Sequence, residues 1–306
     1  MSLLRIVLFI LLLLIVDCAV TSVSSKLVQI GTPAEIDFPN FEKSKGKIKF
    51  QKLVMADWAV DRSGLIDLDD PKSKEQGLKD VDEPIQIYLF VIDHPIHGRF
   101  FIDSGISQGF RKPEDLKINF LVKSAMKFEK FKIWETTSEW ISKNPKPIKG
   151  IFLTHLHLDH IFGIGDFEKT IPIYIGQSES TAKAFQNLFV QGSTDSLIGK
   201  DRILQEIQFK KADQNLSAID FFGDKSFLIL HSPGHTDGSL AFLIHSETGT
   251  QLILGDTCHT KFGWENNVPP GSFTKDKLEN KKSLQELQVL SKKIKNIFIH
   301  PGHQSL

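Results

Sequence analysis

The chain has 306 residues, 41% of them hydrophobic, enough to bury a sizeable core. Its 37 basic and 37 acidic residues balance, so it lacks the cationic excess that a nucleic-acid-binding surface requires. Only two cysteines are present, Cys18 and Cys258, which excludes a disulfide framework.

Residues 1–25 are expected to be a targeting leader outside the fold. Arg5 supplies a positive charge, and Ile6 to Val16 is an unbroken apolar run of eleven residues. That is the length of a signal-peptide core and short for a membrane span. Leu14-Ile15-Val16-Asp17-Cys18 approximates a lipoprotein cleavage box, with Asp17 where a small residue is expected. The leader predicts an exported protein, periplasmic or extracellular, that meets a membrane only through this segment, whether cleaved, lipidated or retained. Residues 26–47 are polar and predict a linker or arm, leaving residues 48–306 as one domain. Ile48 to Val60 predicts a first strand and Asp61 to Pro84 an exposed charged loop. Ile85 to Ile92 and Arg99 to Ile102 predict a hairpin, with His94 and His97 solvated at its turn. Residues 112–142 predict helix, with Phe120, Phe128, Phe131, Trp134 and Trp140 mostly in the core, and 177–190 predict another. Strands are expected near 202–209, 226–230, 239–245 and 250–254, then a helix from about Lys275 to Lys293.

Chemistry concentrates after the apolar run Ile151-Phe152-Leu153. There Thr154-His155-Leu156-His157-Leu158-Asp159-His160 offers three imidazoles and a carboxylate within six residues. Imidazole and carboxylate suit zinc and related first-row metals. At strand-like spacing His155 and His157 point one way, and a turn after Leu158 brings Asp159 and His160 towards a second point. Two pairs of ligands suit two adjacent metal ions better than one. Later apolar runs end in further donors: His235 in Pro233-Gly234-His235, Asp256 after Leu252 to Gly255, and His303 after Ile297 to Ile299. His231 and His300 flank these donors as supporting or capping residues, and Cys258 reads as a small buried side chain.

The ordered pattern of HxHxDH, PGH, strand-end Asp and terminal GH resembles the metallo-β-lactamase superfamily over about residues 85–305. The resemblance implies an α/β fold, a four-layer αβ/βα metallo-β-lactamase sandwich, with metals at one edge. It implies one zinc ion on His155, His157 and His235, another on Asp159, His160 and His303, and Asp256 bridging them. Asp103, in Ile102-Asp103-Ser104-Gly105, would organise loops beneath the metals. Asp256 to Phe273 is similar to the quorum-quenching N-acyl-homoserine lactonases, with His259 where that family has tyrosine. The resemblance thus implies a metal-dependent carboxylic-ester hydrolase that opens a small-molecule lactone with a metal-bridging hydroxide. Asp159 would shuttle a proton and His259 would assist at the oxyanion. It is compatible with a homodimer. A glyoxalase II-type thioesterase or a β-lactamase-like amidase on the same scaffold is the alternative, and a non-catalytic binding member would be expected to have lost ligands.

Overall fold

The computed structural model describes residues 18–34, 48–210 and 216–306. Its strands are β1 (Cys18–Ala19), β2 (Ser25–Val28), β3 (Thr32–Ala34), β4 (Lys49–Asp61), β5 (Asp82–His94), β6 (Gly98–Ile102), β7 (Lys132–Ile133) and β8 (Ile148–Phe152). They continue with β9 (Ile173–Gly176), β10 (Lys183–Ala184), β11 (Leu204–Ile207), β12 (Ala218–Asp220), β13 (Phe227–His231), β14 (Leu240–Ser246), β15 (Gly249–Gly255) and β16 (Ile297–Pro301). Among the described residues they form an eight-stranded sheet in the order β2-β11-β9-β8-β6-β5-β4-β7, a six-stranded sheet in the order β16-β15-β14-β13-β12-β3, and the pair β1-β10.

The two large sheets pack face to face. Continuous apolar runs make this possible, because alternate side chains of one strand serve opposite faces. In β13, Phe227 and Ile229 enter the core between the sheets, while Leu228 and Leu230 face the outer core. β5 does the same: Tyr88, Phe90 and Ile92 face inward, and Ile87, Leu89 and Val91 face outward. Phe227 and Phe242 stack in the inner core with ring centroids 5.6 Å apart. Outside the eight-stranded sheet, Trp140 of the helix Thr137–Lys143 and Ile161 of the helix Leu158–Ile161 close the first outer core. Outside the six-stranded sheet, Leu284, Leu287 and Leu290 close the second from the helix Lys277–Lys292, whose N-cap is Asp276. The result is the expected helix, sheet, sheet, helix layering.

The β5–β6 hairpin, β11, β13, β14 and β15 lie where the sequence predicts them, with Phe90 opposite Ile102 in the hairpin. Six expectations change. The fold begins before residue 25: β1 pairs with β10, Val20 and Val23 are buried, and β2 adds in parallel to β11. The polar 26–34 stretch is likewise built into β2 and β3, while 1–17 and 35–47 lie outside the described residues. The charged 61–84 segment carries two short helices, Arg62–Leu65 and Pro71–Glu75, the second capped by Asp70. The 112–142 region is broken into the helices Phe120–Ala125 and Thr137–Lys143, 3-10 turns and β7. There Phe128 and Trp140 are buried, but Phe120 and Trp134 are exposed. Finally, the helix expected at 177–190 runs over Asn187–Ile198, and His94 is buried with Nε2 3.0 Å from Asp224 Oδ2.

Candidate metal centre

The donors sit on loops at one edge of the sandwich. His155, His157, Asp159 and His160 follow β8, His235 lies between β13 and β14, Asp256 follows β15 and His303 follows β16. Backbone hydrogen bonds lock the loops together: Leu240 N donates to Thr154 O, and His303 N donates to His259 O. Two glycines permit the close approach. A Cβ on Gly302 would lie 2.1 Å from Asp256 Oδ1. One on Gly234 (φ +127) would lie 2.1 Å from Asn280 N.

The seven sequence-predicted ligands meet in two groups that could each hold a metal ion, His155, His157, His235 and Asp256, and Asp159, His160, Asp256 and His303. In the first group His235 Nε2 lies 3.1 Å from His155 Nε2, 2.9 Å from His157 Nδ1 and 3.4 Å from Asp256 Oδ2. One ring nitrogen cannot form ordinary hydrogen bonds with that many others, so converging lone pairs point to a shared cation. In the second group His303 Nε2 is 3.2 Å from Asp159 Oδ2 and 3.3 Å from Asp256 Oδ1. His160 Nε2 is 3.3 Å from Asp256 Oδ2. Buried His160 Nε2 and Asp256 Oδ1 have no hydrogen-bond partner among the described residues. Orphaned buried polar atoms of these types fit metal ligands.

The outward nitrogen of four rings is held by a second partner, as a ligating imidazole requires. His155 Nδ1 meets Thr154 Oγ1 at 3.1 Å, His160 Nδ1 meets Asp103 Oδ2 at 2.9 Å, His235 Nδ1 meets Thr274 Oγ1 at 3.1 Å, and His303 Nδ1 donates to Gln86 O at 3.0 Å. Asp103 adopts a left-handed φ of +56 and also accepts from Thr154 N and Oγ1. That matches the supporting position expected for it.

Charge divides the two groups. Burial, reinforced by neighbouring imidazoles, pushes His155 and His235 well below the usual histidine range, and burial takes His157 down to about 4. These rings are therefore neutral, the form that binds metal. Burial also disfavours charge on His160 and His303, but the carboxylates around them win, lifting His160 well up and His303 to about 10. Asp159 falls to about 2 and Asp256 well below its ordinary value, because neighbouring histidines outweigh the burial that would raise them.

His259 is buried with Nδ1 3.1 Å from Leu65 O and Nε2 2.9 Å from Asp256 Oδ2. A carbonyl only accepts, so Nδ1–H donates to Leu65 O, while Nε2 is turned towards Asp256 Oδ2. Glu179 was not foreseen. It is fully buried and accepts from Leu156 N at 2.8 Å, Gly238 N at 2.9 Å and Thr236 Oγ1 at 2.7 Å, joining the two loops of the first group. Burial raises its pKa, and these bonds only partly oppose that. Nothing in the local pattern around Gln177-Ser178-Glu179 marks it. His231 Nε2 lies 3.1 Å from Asp237 O and His300 Nε2 2.8 Å from Gln251 Oε1, contacts that do not involve the donors. Cys258 is buried, its Sγ 3.3 Å from Thr260 O, and burial pushes its thiol up to about 12.

A cavity of about 570 Å³ opens above the donors. His157, Asp159, His235, Asp256, His259 and His303 line it, and its walls include Val20, Trp58, Leu65, Met126, Val190 and Phe273. Trp58 Nε1 donates to Met126 O at 2.9 Å, so its N–H needs no partner in the cavity.

Comparison with known proteins agrees with this geometry. The chain is 31% identical over 156 residues to an N-acyl homoserine lactonase of Bacillus sp, covering 50% of this chain and 56% of that protein. It is 29% identical over 151 residues to the N-acyl homoserine lactonase AttM of Azorhizobium caulinodans, covering 49% and 56%. It thus spans little more than half the length of these curated relatives. A crystal structure of a quorum-quenching N-acyl homoserine lactone lactonase superposes with a TM-score of 0.60 at 18% identity, covering 85% of this chain and 92% of that one. The dizinc quorum-quenching lactonase AidC, in complex with its product, superposes at 0.52 and 14% identity, covering 90% and 94%. The family model described as the metallo-beta-lactamase superfamily matches residues 82–303, and the chain belongs to that superfamily.

Proposed function

We propose that this protein is a binuclear zinc lactonase acting on N-acyl homoserine lactones or closely related lactones, and that it is exported. The observation that carries the reading is the pair of donor groups sharing Asp256, with orphaned His160 Nε2 and Asp256 Oδ1, at the floor of an apolar-walled cavity. When bound there, the metal ions would polarise the lactone carbonyl and bring a water close to neutral pKa. The protein's own groups do the rest. Val20, Trp58 and Met126 hold an acyl chain out of water, which orients the ring over the donors. Asp159 lines the floor beside His303 and is placed to accept a proton and return it to the leaving alcohol. His259 fixes the Asp256 carboxylate and stands beside the carbonyl site. Export is supported by the apolar run before Cys18.

The test is elemental analysis of the purified protein together with a substrate panel. Two metal ions per chain, loss of both in Asp256→Ala, and fastest turnover on acylated homoserine lactones are expected. One ion that survives Asp256→Ala overturns the binuclear reading. Preference for thioesters or β-lactams would move the protein to the glyoxalase II-type or amidase branch.

A further inference from the structure

We propose that the rim of the cavity is a bilayer-contacting surface, so that the enzyme works with its pocket mouth on a lipid membrane. Five large apolar side chains, Phe120, Leu121, Phe185, Leu188 and Phe189, are each between 41% and 74% exposed. They form one neighbourhood. Phe185 and Phe189 meet edge to face at 5.8 Å, and Asn119 N donates to Ser193 Oγ, joining the helix Phe120–Ala125 to the helix Asn187–Ile198. Both helices also line the cavity, through Ala125 and the capping Met126 on one and Val190 and Thr194 on the other. Clustered exposed aromatic and leucine side chains mark an interaction surface.

Two independent observations select a membrane as the occupant. The chain enters the described fold at this rim: Cys18 pairs with Ala184, next to Phe185, and the apolar run Ile6–Val16 ends two residues before Cys18. In the uncleaved chain, a membrane that takes that run is thereby brought to these side chains. Charge agrees as well. The chain as a whole is neutral, but residues 111–132 carry seven basic and three acidic residues, a cationic border suited to anionic headgroups. Most of it is engaged within the protein: Lys127 and Lys130 bind Asp61 and Asp82, Arg111 pairs with Glu139, Lys123 donates to Leu116 O and Lys132 lies over the Trp134 ring, so Lys112 and Lys117 are the cations best placed for headgroups. The proposed contact is interfacial, made by exposed side chains of two short surface helices.

The test uses the full chain and two tryptophan reporters, Phe189→Trp at the rim and Val289→Trp on the opposite outer helix, with Leu188→Trp as a second rim reporter. Vesicles of phosphatidylcholine and phosphatidylglycerol with brominated acyl chains are added at equal metal content. Fluorescence added by a rim reporter should be quenched at least about twofold more than that added at position 289, as expected for side chains seated at the acyl boundary. The contrast should grow with the phosphatidylglycerol fraction. Equal quenching at rim and control positions, no association with vesicles, or lipid-independent dimerisation through the rim would each overturn the proposal. Lactone hydrolysis in detergent-free buffer is a separate readout, so failure here leaves the lactonase reading to its own test.

Discussion

His259 is the residue whose environment says most about its work. Its Nδ1–H is committed to Leu65 O, and its Nε2 lies 2.9 Å from the carboxylate shared by both donor groups. The ring therefore acts on Asp256 at least as directly as on any substrate. His259→Ala should speed chelator-driven metal release about 10-fold, the lower end for losing a partner that orients a ligand. His259→Gln, which can keep a donor, should restore slower release. Unchanged release with a lower kcat would instead place the imidazole at the substrate carbonyl. The seven candidate donors were legible in the sequence because their loops follow apolar strands and their residue types suit a metal. Glu179, Thr274 and the backbone of Gln86 were not, since each acts on a histidine loop from a distant part of the chain.

At the scale of elements, the strands were the readable part, because their apolar runs stay apolar whichever faces they serve. The misread elements are those whose partners are remote. Cys18 to Val28 looks like the end of a leader and a polar arm. It is held by Asp195, which accepts from Thr21 Oγ1 at 2.5 Å, from Ser22 N at 2.8 Å and from Ser22 Oγ, over about 170 residues of sequence. Burial would raise the Asp195 pKa, but the Ser22 and Thr21 bonds lower it overall. Its support is therefore present above the ordinary carboxylate range and fades as pH falls through the depressed value. Asp195→Ala should cost about 1–3 kcal/mol at neutral pH, for unsatisfied donors left behind. It should also admit protease between residues 18 and 28, and a calorimetric Tm with a digestion time course checks both. An unchanged Tm would mean that β1 and β2 are held by their strand pairing alone.

Across the whole molecule, burial also acts on a lysine outside the donor set. Lys52 on β4 sits with Nζ 3.8 Å from the Tyr88 ring centroid and 3.0 Å from Ser305 Oγ, and burial lowers its pKa from 10.5 to about 8. Between those values the unfolded chain holds more protons than the folded one, so stability rises with pH from about 8 to 10.5. Below pH 8 the full penalty for the buried charge remains. Lys52→Met should therefore raise Tm at pH 7, with the gain shrinking towards pH 10.5, and denaturation curves at both pH values would show it. A gain independent of pH would point to packing instead. The sandwich has a further consequence at this scale. Each donor group draws its atoms from loops of both sheets, so any cation seated there is a clamp across the two halves. Its grip adds directly to the free energy of unfolding, about 2.7 kcal/mol at a hundredfold excess over its dissociation constant. Metal supply would then set how long the folded chain survives as well as how fast it works.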